Sequence, residues 1–599
     1  MQIYKKNFKT YLKLACFLFV VGVWCGNLLY HIPGYDVYGK ELFLFSEKFL
    51  DYVLNNFFYF FYAPTLFALI GGVLGFLSGL LAYAYNNDSG VYRPNEEHGS
   101  ARFATKEELE MFQDPIFENN LIFTQHARMG LFSHRLSFHA QKNKNVCVVG
   151  GPGTGKTYTF IKPNIMQMNA SFVVTDPKGL LVRETGKMLE DNGYKVKVFD
   201  LNTLSNSDGF NVFNYIKTEL DVDRVLEAIT EGTKKSENQG EDFWQVAEAL
   251  LIRSFIAFLW FDGIDNDYTP NLSMIADMLR FTERKDPKVP SPVELWFEEQ
   301  NRHRPNNYAY KQWCLFNNNY KAETRASVVS IAVGRYAVFD HEQVVDMVKV
   351  DTMEIDKWNE EKTAVFIAIP ETTAAYNFLA AIFMATTMEV LRKKADEVLT
   401  GVRKLKEQLL HVRFLIDEFA NIGKLPNIDK ALATFRSREM SIVIVLQALD
   451  QIKTMYRNGW ATILNTCDSF LFLGGDEKET TSYLSQRAGK QTIAIRNHSI
   501  SRGRNGGSEN RQKQARDLLT PDEIGRLNNG DALLFISGQH VFKDKKYTVK
   551  DHPNSSQLAN SPNDANWYYY KRYRDDYERF MDNVTPDNIV DHGILQDVA

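Results

Sequence analysis

Two long apolar runs stand at the head of the chain, and short apolar runs separated by helical stretches follow them. Leu14 to Tyr30 and Phe57 to Asn87 carry no charged residue. A bilayer core needs about 20 apolar residues, which the first run barely supplies, so spans are predicted over residues 14–31 and 58–84. In the second run Gly71, Gly75 and Gly79 recur every fourth residue. That spacing lines one helix face with surfaces small enough for close helix approach, between the two spans or between subunits, unless glycine is simply tolerated there.

Beyond residue 97 the pattern changes. Thr105 and Glu108 form a capping box that opens a helix. Strand-like runs then appear at Asn145 to Val149, Ser171 to Thr175, Tyr194 to Phe199, Ala364 to Ile369, Phe414 to Ile416, Ser441 to Leu446, Ser469 to Leu473 and Ala532 to Ser537. Apolar on both faces and alternating with helices, they predict a mainly parallel α/β sheet. One interval, from about Tyr215 to Val350, has helical periodicity (Asp242 to Phe261, Met274 to Thr282, Thr324 to Tyr336) and few β runs. An inserted helical domain is the economical reading. The predicted organisation is a membrane anchor over 1–87, a linker over 88–97, an α/β domain over 98–217 and 351–550, an all-α insert over 218–350, and a tail over 551–599.

Charge orients the anchor. Lys5, Lys6, Lys9 and Lys13 precede the first span, while the loop between the spans holds Asp36, Glu41, Glu47 and Asp51 against Lys40 and Lys48. The positive-inside rule therefore predicts a two-pass membrane protein with both termini cytoplasmic. A cleaved signal peptide is the rival reading of the first span, but no small-x-small site follows it, and retention is expected.

Chemistry concentrates where the apolar runs end. Val146 to Val149 leads directly into Gly150, Gly151, Pro152, Gly153, Thr154, Gly155, Lys156 and Thr157, a complete Gly-x-x-x-x-Gly-Lys-Thr phosphate loop followed by Tyr158. Such a loop turns backbone N–H groups around a triphosphate, sends the lysine to the β- and γ-phosphates and gives the hydroxyl to Mg²⁺. ATP and Mg²⁺ are the expected cofactors. Phe414 to Ile416 ends in Asp417 and Glu418, read as the magnesium-side carboxylate and the carboxylate that polarises attacking water. Ser441 to Leu446 ends in Gln447, where RecA-like motors sense the γ-phosphate.

The 599 residues suffice for two or three domains. A formal net charge of −5 argues against nonspecific wrapping of nucleic acid over the whole surface and leaves room for a locally basic channel. The five cysteines have no zinc or disulfide spacing. Arg487 to Arg516 reads as a flexible basic loop suited to a phosphate backbone, because only Glu509 opposes its Lys and Arg residues. The tail groups Trp567, Tyr568, Tyr569, Tyr570 and Tyr573 in a partly helical patch and finishes in acids.

These residues together resemble the type IV secretion coupling ATPases of the TraG/TraD kind. The resemblance covers the two spans, His98-Gly99-Ser100-Ala101-Arg102, the phosphate loop with Pro163-Asn164 behind it, and Thr175-Asp176-Pro177-Lys178-Gly179. It continues through Asp242-Phe243-Trp244, Leu415 to Pro426, Arg436-Ser437-Arg438, Gln447, Leu473-Gly474-Gly475 and Leu519 to Glu523. Leu180 stands where the family usually has Glu, and Glu439 where Gly is common. The resemblance implies a RecA-like P-loop NTPase domain with an inserted all-helical domain, assembled as a homo-oligomer of six subunits. An arginine is then expected to complete each site across the subunit boundary, Arg436 first and Arg438 as fallback. The implied partners are a relaxase on single-stranded DNA and the channel of a type IV secretion system. Two rival readings are a membrane-anchored double-stranded DNA pump of the chromosome-partitioning (FtsK-like) kind and a substrate receptor that uses its nucleotide as a switch.

Overall fold

A computed structural model describes residues 8–33, 43–44, 48–62, 65–86, 93, 95–232, 242–284, 288–370, 376–404, 408–499 and 508–572. They divide into two units. One comprises residues 1–100 with Lys490–Arg516, and the other comprises Ala101–Gly489 with Asp517–Ala599.

In the first unit, helices α1 (Phe8–His31) and α2 (Leu66–Asn86) are long and apolar enough to cross a membrane. The predicted second span was longer; its first residues instead form a separate short helix, Tyr59–Tyr62. The glycines settle the packing question, because they join the two helices of this chain to each other. A Cβ on Gly71 would lie 2.2 Å from the Gly22 carbonyl oxygen, one on Gly75 2.2 Å from that of Leu18, and one on Gly79 2.5 Å from Ala15 Cα. Only backbone fits there. Polar groups bind across the turn side, where Asn27 donates to the Phe60 carbonyl (2.7 Å) and accepts from the Thr65 hydroxyl (2.6 Å).

In chain order the strands are β1 (Asn120–Ile122), β2 (Arg128–Gly130), β3 (Val146–Val149), β4 (Ser171–Thr175), β5 (Lys195–Asp200), β6 (Thr363–Ala368), β7 (Val412–Ile416), β8 (Met440–Leu446), β9 (Ser469–Phe472), β10 (Lys490–Ser499), β11 (Ser508–Asp517), β12 (Asp531–Ile536) and β13 (Phe542–Lys545). Nine of them form one sheet in the order β13-β12-β9-β3-β8-β7-β4-β6-β5. The seven from β9 to β5 are parallel, and β12 returns antiparallel against β9. Every residue of β3, β7 and β8 is buried, which explains why they are apolar except at Arg413 and Ser441: both faces of a parallel sheet are covered. Cys147 and Val149 join the core that includes helix Asn377–Leu399 and the insert, whereas Val146 and Val148 face the helical segments 157–166 and α3 (Leu180–Asp191). The described residues between Glu219 and Lys349 are helical or connecting, with no strand among them, around a core in which Phe297 and Trp313 stack at 4.7 Å.

Two expectations need correction. The basic stretch is not a loop throughout. Arg487 ends helix Lys478–Ala488 and lies over the Phe470 and Phe535 rings, while β10 and β11 pair as a two-stranded ribbon. That ribbon groups with the anchor unit and not with the sheet. The sequence of β11, Ser-Glu-Asn-Arg-Gln-Lys-Gln-Ala-Arg-Asp, has no apolar period, so its pairing leaves no hydrophobic signature. The tail patch is likewise not helical over its described part. It lies along α3, with the Tyr568 N–H donating to the Arg183 carbonyl (2.8 Å) and its ring against Gly186, where a Cβ would come within 2.6 Å. The acidic end from Asp582 lies outside the described residues.

Candidate nucleotide site

The sheet gathers the candidate residues at the carboxyl ends of its strands. β8 lies between β3 and β7, so the phosphate loop, Gln447 and the Asp417–Glu418 pair end side by side. The loop leaves β3 at Gly150 and turns through Gly153 (φ +75°) and Gly155 (φ +82°), backbone angles that cost glycine nothing. At Gly150 a Cβ would meet the Thr154 hydroxyl at 2.5 Å. The following helix starts with a π-wound turn, Thr157–Ile161, before Lys162–Met166 continues as α. Pro152 and Tyr158 are exposed at the mouth.

Lys156 folds back over the loop and donates to the carbonyls of Gly150 (2.6 Å) and Gly151 (3.3 Å). Burial lowers its pKa, and Glu418 and Asp417 pull it back up. The Thr157 hydroxyl donates to Asp417 at 2.5 Å. Burial raises the Asp417 pKa, opposed by that hydrogen bond and by Lys156. Hydroxyl, carboxylate and loop N–H groups thus meet the needs of a hard cation carrying phosphate oxygens, so the donor set fits Mg²⁺ with a triphosphate. Thr175, at the end of β4, ties the site down by donating to the Asp417 carbonyl (2.6 Å). Beside it Asp176 accepts from the N–H groups of Leu180 (3.1 Å) and Val182 (3.0 Å), capping α3, and burial pushes its pKa up to about 6.

Glu418 sits in the left-handed region (φ +63°), an uncommon conformation for a side chain of this size. Two amides hold it there. Gln447 donates to one carboxylate oxygen and Gln451 to the other, each at 2.9 Å. Gln451 was not foreseen, although its position one helical turn after Gln447 is a usable signal. Lys546, which donates to the Thr154 carbonyl (2.9 Å), was also missed, and its 392-residue separation leaves no signal at all. On the far side of the loop the Gly151 N–H donates to the Gly474 carbonyl (2.8 Å).

Arg436 is not part of this cluster. It precedes β8, at the opposite end of the sheet, close enough to Lys144 to lower that lysine's pKa, and its side chain is exposed. Arg438 is engaged, with Asp396 at 2.7 Å and the Thr434 carbonyl at 2.9 Å. A cavity of about 700 Å³ also lies away from the phosphate loop, among helices Glu219–Gly232, Asn377–Leu399 and Ile428–Phe435. Its charges neutralise one another, as in the bonds of Arg224 to Asp221 (2.9 Å) and Glu389 (2.8 Å).

The sequence profile of the family described as Type IV secretory system Conjugative DNA transfer matches residues 103–563. The chain belongs to that family. The conjugal transfer protein TraG of Rhizobium radiobacter is 22% identical over 401 residues, covering 65% of this chain and 60% of that protein. A TraG of Escherichia coli is 23% identical over 493 residues, 75% of this chain and 76% of the relative. The chain thus spans about 60% of the length of the Rhizobium protein and of its Agrobacterium fabrum counterpart (58%). Among solved structures, the plasmid coupling protein TrwB in complex with ADP and Mg²⁺ superposes with a TM-score of 0.52 at 16% identity, over 75% of this chain and 94% of that one. That likeness establishes the RecA-like fold with its helical insert. It extends to TrwB bound to a non-hydrolysable ATP analogue (TM-score 0.52, 15% identity, 76% of this chain and 96% of that one).

Proposed function

We propose that the chain is a membrane-anchored P-loop ATPase that couples single-stranded DNA bearing a relaxase to the channel of a type IV secretion system. One observation carries the proposal: Lys156, Thr157, Asp417, Glu418 and Gln447 converge at the ends of three adjacent strands. Family membership supplies the conjugative context.

In this reading Gly150 to Tyr158 cradle ATP, and Lys156 leaves its carbonyl partners to meet the γ-phosphate. Thr157 and Asp417 would hold Mg²⁺, which when bound neutralises charge on the phosphate oxygens. Glu418 takes the proton from attacking water, and Gln447 links that carboxylate to the state of the γ-phosphate. Arg436, exposed at the other end of the sheet, serves a neighbouring protomer's site in a ring of six. Both termini are cytoplasmic, as the lysines before α1 dictate.

Mixed oligomers test the shared site. Full-length Lys156→Ala and Arg436→Ala chains are each expected to lack DNA-stimulated ATPase activity alone. Mixing them creates some sites with both halves intact and restores part of the activity. If the mixture stays as inactive as either parent, Arg436 does not act in trans. ATPase activity indifferent to single-stranded DNA would remove the coupling role.

A further inference from the structure

The β10–β11 ribbon is the largest basic feature the nucleotide chemistry leaves unused. Between Lys490 and Arg516 the sequence carries seven Lys or Arg residues and one acid, Glu509. Its described strands present Lys490, Arg496 and Lys513 as exposed side chains, and Arg516 as half-buried. A protein with a net charge of −5 has concentrated positive charge on one narrow element.

The register says where that element is tethered. Ser100 pairs antiparallel with Gln491, the His98 N–H donates to the Thr492 hydroxyl (3.0 Å), and Glu97 forms an ion pair with Lys513. The segment from Glu97 to Ser100 therefore runs against β10. Followed backwards from Ser100 to Glu97, the chain runs in the direction in which β10 runs from Lys490 to Ser499. Glu97 is 11 residues from Asn86, the last residue of α2, and 11 residues span at most about 40 Å. Strands of 10 residues such as β10 and β11 extend about 30 Å. The ribbon is thus tethered, through Glu97 and Lys513, within about 40 Å of the end of α2.

We infer that the β10–β11 ribbon is a membrane-surface contact that engages anionic lipid headgroups on the side of the bilayer where α2 ends. The inference rests on the membrane-anchored reading of α1 and α2, and it holds for either orientation of the anchor. Basic residues within a Debye length of an anionic leaflet are attracted to it, and salt screens the attraction. Single-stranded DNA would satisfy the same charges. The tether favours lipid because it keeps the ribbon within about 40 Å of the bilayer surface at which α2 ends.

The test uses the full chain in nanodiscs, with the exposed or partly exposed Cys16, Cys25 and Cys314 changed to serine and a fluorophore on a Gln512→Cys variant. Energy transfer to headgroup-labelled lipid is compared between discs of phosphatidylcholine and discs containing about a third phosphatidylglycerol. We expect transfer roughly twofold higher in the anionic discs, with most of the excess lost on Arg496→Glu and, without any mutation, in about 0.5 M salt. Equal transfer in both discs overturns the inference while leaving the anchor intact. So does a signal that answers to a single-stranded oligonucleotide in neutral discs and not to lipid charge, which would make the ribbon a DNA contact. Failure of the chain to co-elute with discs overturns the anchor itself and the inference with it.

Discussion

A lysine lies beyond each end of β3, half-buried at the carboxyl end and buried at the amino end, and the two differ in what surrounds them. At the carboxyl end Lys156 has two carbonyl partners and two carboxylates close enough to raise its pKa. At the amino end Lys144 is 4% exposed, and its ammonium has no hydrogen-bond partner among the described residues. Burial and the nearby Arg436 push its pKa down to about 8, with Asp468 and Glu439 opposing. His411 is buried in the same region, bonded to Glu439 (3.0 Å) and Ser441 (2.9 Å), and burial lowers its pKa. The same strand thus ends in one charge compensated within the chain and one compensated poorly. A site built to receive an anion brings its own acids to hold the lysine until the anion arrives. An end of the sheet that faces outward with Arg436 keeps a positive excess and bears its cost in the folded monomer.

The contrast can be tested at both ends, beginning with the largest effect. Glu418→Gln is expected to lower ATP turnover by about 10²–10⁴-fold while leaving nucleotide affinity within a few fold. Single-turnover hydrolysis beside equilibrium binding measures both, and a loss below tenfold would mean that water is activated elsewhere. Lys156→Ala should reduce turnover by about 10²–10³-fold through lost stabilisation of the transferring phosphoryl group. At the other end Lys144→Met should stabilise the fold at pH 7 by about 3 kcal/mol, the cost implied by a pKa near 8 against the unfolded value. The sign follows from linkage. A depressed lysine costs most below its folded pKa, so wild-type stability should climb between about pH 8 and 10, while the variant's should not. Denaturant midpoints at pH 7 and 9.5 check this, and parallel curves would mean that Lys144 finds a partner in solution. The smallest effect belongs to Gln451→Ala. It frees one oxygen of Glu418 and should change turnover by only a few fold, with nucleotide affinity unmoved.

Much of this was legible in the sequence, for identifiable reasons. The parallel strands showed because burial on two faces demands apolar runs, as in Ile442 to Leu446. The phosphate loop showed because its glycines and lysine are fixed by backbone geometry, and Asp417, Glu418 and Gln447 because strand ends follow apolar runs. What escaped reading depends on backbone pairing or on distant contacts. β11 has no apolar period, Lys546 reaches the loop from 392 residues away, and the Tyr568 notch exists only because Gly186 lacks a side chain. Gly71, Gly75 and Gly79 announced a close contact, yet their periodicity could not name the other side. On the other side Gly22 and Gly26, which meet the backbone of Gly71 and Phe67, show the same four-residue spacing only once, and the Leu18 backbone shows nothing.

That contact has a mechanical meaning. Where α1 and α2 meet at Gly71 and Gly75, main chain rests on main chain, with no rotamer between them to absorb a push. The pair therefore behaves over that stretch as a stiff peg: a push on the middle of α2 passes into the middle of α1 through the backbone itself.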